Sequence, residues 1–203
     1  MTDEELKKTV EDYLSKRLGS TCHIEQFYSL SGGACQDNFL VDLKSNDGSE
    51  QGNYNLVLRT DQGASLLSSL SRPQEFIVAR AAYDKGVQTP KPYWLERDRS
   101  VIGKPFYLME RIGGNANGRY LVKDKELNEV RKTLPQELAK SLAGIHKVRP
   151  EEADSELKEA LGNAPQAKST DYAIASVRVM RKSLDDLPEA HPALEFALNW
   201  LEE

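Results

Sequence analysis

Leu56-Val57-Leu58-Arg59 is a short apolar run that ends on a cation, and the rest of the fold reads outward from it. It suits a strand from Tyr54 to Arg59, entered through the turn residues Asn46-Asp47-Gly48. Upstream, Ile24 to Ser29 and Asn38 to Leu43 alternate or cluster as strands on either side of the small-residue turn Ser31-Gly32-Gly33. Three antiparallel strands result. Downstream, Phe76, Ile77, Ala79, Ala81, Ala82 and Tyr83 fall at helical spacing between Pro73 and Lys85, with Glu75 on that helix and Gly86 ending it. Pro90 and Pro92 then force extended chain. Two more strands are predicted, near Tyr93 to Glu96 and from Phe106 to Arg111, about a polar turn containing Asp98 and Gly103.

The flanks are helical. Thr2 or Asp3 can cap a first helix whose Leu6, Val10, Tyr13, Leu14 and Leu18 share helical spacing, with Gly19 as its stop. Beyond Ile112 the texture changes, because Gly113-Gly114-Asn115-Ala116-Asn117-Gly118 breaks strands and every strong pattern after it is helical. Leu134 to Val148 places Leu138, Leu142, Ile145 and His146 on one stripe, with Pro135 suited to the helix start. Glu151 to Leu161 reads as a shorter helix. Past a loop at Asn163 to Ser169, two further helices are expected at Tyr172 to Leu184 and Pro192 to Leu201. The expected class is α+β, with a five-stranded antiparallel sheet and its helix in residues 1–112 and helices in 113–203.

The pieces have a shared chemistry. A turn of small residues lets backbone N–H groups approach phosphates. The fork of donors on Arg59 suits two neighbouring phosphates, and Glu75 on the next helix can pair with that guanidinium. The strand end Met109-Glu110-Arg111-Ile112 can donate and accept backbone hydrogen bonds along a purine edge, with Glu110 and Ile112 contributing main-chain atoms. Leu30, Leu40, Val57 and Met109 would enclose the base, since ligand sites are mostly apolar with few polar anchors. Ser31, Gly32, Gly33, Arg59, Glu75, Met109, Glu110 and Ile112 are therefore the candidate nucleotide contacts. Each has a plainer reading: a hairpin turn, a surface Arg on a nearby carboxylate worth at most about 1 kcal/mol, and core side chains.

Taken in order from about Ile24 to Val148, these motifs resemble the small lobe of the aminoglycoside phosphotransferase family, relatives of the protein kinases. Weaker similarity continues through the helices up to Trp200. The resemblance implies a protein-kinase-like amino-terminal lobe followed by part of a helical carboxy-terminal lobe. It also implies ATP as phosphoryl donor, Mg, and a small hydroxylated molecule as acceptor. Arg59 takes the place of the family's phosphate-contacting Lys or Arg, and Ile145-His146 that of a structural Leu-His pair. The family's catalytic loop, a His-Gly-Asp run with an Asn shortly after, occurs nowhere in the 203 residues, and neither does its later metal-binding Asp. In the family those follow a helix like Ala193 to Leu201. The expectation is an amino-terminal portion of a longer ATP-dependent phosphotransferase, inactive by itself, with catalytic Asp and metal ligands outside the chain. One alternative is a kinase-like module that binds a nucleotide or partner without chemistry. Another is an α+β domain in which the glycines and the Arg/Glu pair are incidental.

Composition narrows the classes. A net charge of -5 carries no basic excess of the kind that marks a nucleic-acid footprint. Residues 151–203 hold 12 acidic and 5 basic side chains, which reads as a solvated helical face or as an attraction for a cationic substrate. Cys22 and Cys35 are too few for a disulfide scaffold and have no zinc-ligand spacing, which suits free thiols in a reducing cytosol. His23 and His191 lack carboxylate or thiol partners at ligand spacing, and His146 reads as a core histidine, so no metal site is expected in this chain. Met1-Thr2-Asp3-Glu4-Glu5 is not a basic leader, and no run approaches the roughly 20 apolar residues that span a bilayer. A cytoplasmic protein, not engaged with membrane or nucleic acid, is expected.

Overall fold

Residues 1–30, 36–61, 69–114, 117–149, 154–162 and 172–202 are described in a computed structural model of the chain. Five antiparallel strands, β1 (Cys22–Ser29), β2 (Gln36–Ser45), β3 (Gly52–Asp61), β4 (Pro92–Glu96) and β5 (Phe106–Glu110), form one sheet in the order β1-β2-β3-β5-β4. Its first three strands are the expected meander. The chain then leaves through helix α2 (Arg72–Asp84), and β5 returns beside β3, so β3 is central.

Side-chain alternation gives the sheet two different faces. On one, Phe39, Val41 and Leu43 of β2, Leu56 and Leu58 of β3, and Phe106 and Leu108 of β5 pack with Leu6, Val10 and Leu14 of helix α1 (Asp3–Leu18). Leu14, Leu56, Leu58, Phe106 and Leu108 are fully buried there, and Tyr13 meets Phe106 edge to face at 5.2 Å. The predicted spacing of α1 thus fills a core. Its start is a complete Thr2–Glu5 capping box. That pairing, first through the Thr2 backbone N–H, holds the Glu5 carboxyl below its usual range. Its stop is Gly19, at φ 58°, a left-handed conformation that favours glycine.

The other face carries Asn38, Leu40 and Asp42 of β2, Asn55, Val57, Arg59 and Asp61 of β3, and Tyr107 and Met109 of β5. Helix α2 packs toward β5 on this side through Phe76, whose ring lies 5.7 Å from that of Tyr107. The Ser71–Gln74 capping box and Pro73 in the first turn set where α2 begins.

The chain divides into two compact units, Met1–Ala160 and Leu161–Glu203. In the first, the sheet is followed by α3 (Gly118–Lys123), a 3₁₀ turn at Lys125–Leu127, α4 (Asn128–Ile145) and α5 (Ser155–Ala160). Helix α5 packs on α2, where Gln74 Nε2 donates to the Ala160 carbonyl at 3.3 Å. The second unit is a hairpin of α6 (Tyr172–Asp185) and α7 (Pro192–Glu202). Val177, Leu184 and Leu198 form its core, and Arg181 reaches Glu195 and Glu202, both at 3.0 Å.

Two expectations about α4 are corrected. The helix begins before Pro135, which therefore lies inside it rather than at its start. Pro135 has no N–H for its i to i−4 bond and its ring crowds the carbonyl four residues earlier, yet the helix continues through it to Ile145. Nor is the stripe a core stripe: no described residue of α4 is buried, Leu138 is 60% exposed, and His146 is an exposed residue at the helix end. Periodicity identified the helix but could not say what its apolar face would meet.

Candidate functional site

Arg59 is placed by parity. Leu58 points into the fully buried α1 side, so Arg59 must project from the opposite face, where α2 lies. Glu75 sits in the first turn of α2, and its Oε1 is 2.7 Å from Arg59 Nη2. The carboxylate expected to pair with this guanidinium does so, with about a fifth of the Arg59 side chain and a quarter of the Glu75 side chain exposed.

The pair belongs to a larger network whose other members were not foreseen. Glu75 Oε2 accepts from Arg72 Nη1, and Arg72 Nε lies 2.9 Å from Asp61 Oδ1. Arg72 Nη2 also donates to the Leu70 carbonyl at 3.2 Å. Arg72 is only 3% exposed, and its two carboxylate partners are what make that burial affordable. Among these four side chains two cations and two anions alternate, so their charges cancel. Both new members leave a trace in the sequence: Asp61 follows Arg59 by two strand positions and shares its face, and Arg72 precedes Glu75 by three helix positions.

Strand register arranges this face in rows. Asn38, Arg59 and Tyr107 are cross-strand partners, as are Leu40, Val57 and Met109. The rows are two residues apart along the strand, or about 7 Å. One is polar and charged, the next apolar. Burial raises the Tyr107 phenol well above its ordinary range, with the Glu75 carboxylate adding to the effect and Arg59 and Arg72 opposing it. A neutral phenol therefore stands beside the ion pair. Asn38 Oδ1 is buried without a hydrogen-bond partner.

At the far end of β5, the Glu110 N–H donates to the Lys91 carbonyl at 2.8 Å and the Arg111 N–H to the Asn55 carbonyl at 2.9 Å. Those donors are committed to the sheet. Arg111 also pairs with Asp42 at 2.8 Å, which fixes the chain as it leaves the sheet. Ile112, one residue further, is 60% exposed. Ser31, Gly32 and Gly33 lie outside the described residues, as does Cys35. The structure thus brings Arg59 and Glu75 into contact, puts Met109 beside Val57, and sets Glu110 and Ile112 where the chain leaves the sheet.

Among the described residues no group of three His, Cys, Asp or Glu side chains could hold a metal ion, and no helix is long and apolar enough to cross a membrane. Cys22 is buried and free.

Comparison with solved structures gives a crystal structure of a "putative aminoglycoside phosphotransferase" from Ralstonia eutropha JMP134, with a TM-score of 0.59 at 20% identity. The match covers 96% of this chain and 52% of the other, so the chain spans about half the length of that neighbour. At this identity the likeness concerns the fold, and it agrees with the α+β, kinase-like architecture expected from the sequence. No curated protein matches the chain significantly. The profile of the phosphotransferase enzyme family matches residues 29–203. Since that match takes in β2 to β5, α2 and every helix that follows, the chain belongs to the phosphotransferase enzyme family.

Proposed function

We propose that this chain is the nucleotide-binding part of an ATP-dependent phosphotransferase that moves the γ-phosphate to a hydroxyl of a small molecule. In this reading residues 1–112 form the nucleotide lobe and 113–203 part of a helical lobe. The observation that carries it is the Arg59–Glu75 pair, set one row from the apolar strip Leu40, Val57 and Met109. A charged anchor one row from an apolar strip, in which Leu40 and Val57 are 6% and 8% exposed, suits a nucleotide, with phosphates on the first and the base against the second. Buried, unpartnered Asn38 Oδ1 in the Arg59 row adds an amide with hydrogen-bonding capacity to spare.

The residues' roles follow from their chemistry. Arg59 would hold the α- and β-phosphates through its fork, and Glu75 would keep that fork in place by taking one of its nitrogens. Ser31, Gly32 and Gly33 would supply backbone N–H groups to the phosphates. Met109 would pack on the base, and Glu110 and Ile112 would meet its edge with main-chain atoms. Bound Mg would neutralise phosphate charge; no described side chain is assigned to it.

The chain is proposed to bind but not to turn over, because it has no His-Gly-Asp run to orient an acceptor hydroxyl. A cytoplasmic setting and a hydroxylated small-molecule acceptor complete the reading. Thermal unfolding with and without Mg-ATP tests it, since a ligand that binds only the folded form must raise apparent stability. A rise that is abolished in Arg59→Ala is expected. Absence of any rise at millimolar Mg-ATP, or an equal rise in the variant, would overturn the assignment. Turnover of Mg-ATP with hydroxylated acceptors above background would overturn the inactivity of the chain alone.

A further inference from the structure

The geometry points to Arg72 as the positioning residue of the Arg59–Glu75 pair, an inference that rests on the nucleotide reading only for its functional consequence. Its guanidinium donates to Glu75 Oε2 and to the Leu70 carbonyl at 3.2 Å, and it forms an ion pair with Asp61 Oδ1 at 2.9 Å in which Nε is not aligned for a hydrogen bond. Asp61 is the last residue of β3, while Leu70 and Glu75 flank the start of α2. One side chain therefore clamps the end of the strand that carries Arg59 to the start of the helix that carries Glu75.

The clamp uses what only arginine offers. Its extended, planar guanidinium hydrogen-bonds one acid through Nη1 while its Nε edge lies at ion-pair distance from the other, and it stays charged when buried. By occupying Oε2, Arg72 leaves Oε1 as the oxygen that meets Arg59. Without it, the Glu75 side chain regains rotamer freedom and can swing toward solvent, since a quarter of it is already exposed. Arg72 is not among the candidate nucleotide contacts and acts through Glu75.

A competing arrangement makes the opposite prediction. If Arg72 merely competes for Glu75, its removal would strengthen the Arg59–Glu75 attraction. The sign of the change therefore decides.

The test is a double-mutant cycle on the full chain, Arg59→Met with Glu75→Gln, measured by urea unfolding in the Arg72 and the Arg72→Met backgrounds. The Arg59–Glu75 coupling is expected to fall by about half or more when Arg72 is removed. A residue that only adds stability would lower every member of the cycle and leave the coupling unchanged, which would overturn the proposal, as would an increase. Should Arg72→Met fail to fold, Asp61→Asn loosens the same clamp from its partly exposed end and must lower the coupling too. Arg72→Lys, which keeps the charge but lacks the fork, should fail to restore it, and full restoration would count against the clamp. A second measurement is the Mg-ATP dissociation constant, expected to weaken about tenfold in Arg72→Met. Lower coupling with no Mg-ATP binding by the parent chain would sustain Arg72's role and overturn the nucleotide reading instead. Unchanged coupling with Mg-ATP binding intact would do the reverse.

Discussion

Replacing Glu75 by glutamine keeps the side chain's size and removes its charge, which isolates the carboxylate's electrostatic contribution. Two guanidiniums lean on it, Arg59 at 2.7 Å and the nearly buried Arg72. At an effective dielectric constant of about 20, opposite charges at that distance attract by about 6 kcal/mol before desolvation is counted. Desolvation and side-chain ordering cancel most of this. Exposed pairs retain about 0 to 1 kcal/mol, and breaking a buried pair costs about 3 to 5. Glu75 lies between these limits, with 26% of its side chain exposed beside an Arg72 that is 4% exposed. The amide still accepts from one guanidinium, but its NH₂ group faces the other. We therefore expect Glu75→Gln to lower unfolding free energy by about 2 kcal/mol. Urea unfolding measures this, and repetition at about 1 M salt separates the two regimes, because the screening length there is only about 3 Å. A surface pair would lose its difference from parent in salt, whereas this one should keep most of it. A change below about 0.5 kcal/mol, or one that vanishes in salt, would refute the network as an organising feature of this face.

Other outcomes follow from single contacts. Leu14→Ala, at a fully buried position of α1 against the sheet, should cost about 3 kcal/mol by urea unfolding, and a loss near zero would mean that α1 is not part of the core. Pro135→Ala should restore one helical hydrogen bond in exposed α4 and stabilise by about 1 to 3 kcal/mol, with increased helical circular dichroism; destabilisation would show that the ring is needed. The Glu156 carboxyl is held below its ordinary value of 4.5, first by the hydrogen bond from Arg80 against the opposing effect of burial, then by Arg97. A carboxyl lowered in the folded state stabilises above its unfolded value, and that contribution disappears as pH falls through the folded value. Glu156→Gln should therefore lose less stability than the parent between pH 4.5 and more acidic conditions, and identical acid profiles would refute the assignment.

How far these features are legible in sequence depends on the range of the interaction. Leu56 to Arg59, Phe106 to Glu110 and the spacing of Leu6, Val10 and Leu14 identify their elements because strand and helix periods are local. The Arg59–Glu75 contact was legible from the order of the motifs together with the family resemblance. Arg72 and Asp61 were not, although their offsets from Glu75 and Arg59 are the standard same-face spacings. A buried arginine has no compositional mark, and its burial depends on two acids meeting from separate elements. The α4 stripe erred in the other direction. Its period is sound, yet Leu138, Leu142 and Ile145 are exposed, because whether an apolar face is covered is a tertiary fact.

Parity couples the core to the candidate site. A slip of one residue in β3 would send Arg59 and Asp61 to the α1 side and turn Leu56 and Leu58 toward α2. Burying that guanidinium against Val10 and Leu14 without its acids would cost several kcal/mol. Packing on the α1 face therefore enforces charge placement on the other. Polar ties hold the same register at the strand end: Thr60 Oγ1 donates to the Pro105 carbonyl at 3.0 Å, and Lys104 Nζ bridges the Asp61 carbonyl and Asp37. These ties act on the residues immediately beside Arg59. Aligning Arg59 thus requires no contact from a ligand, because the sheet register aims it and the network of Asp61, Arg72 and Glu75 holds its target. A nucleotide bound at this face would meet a preorganised cation and incur little of the ordering cost that a solvent-exposed arginine would impose.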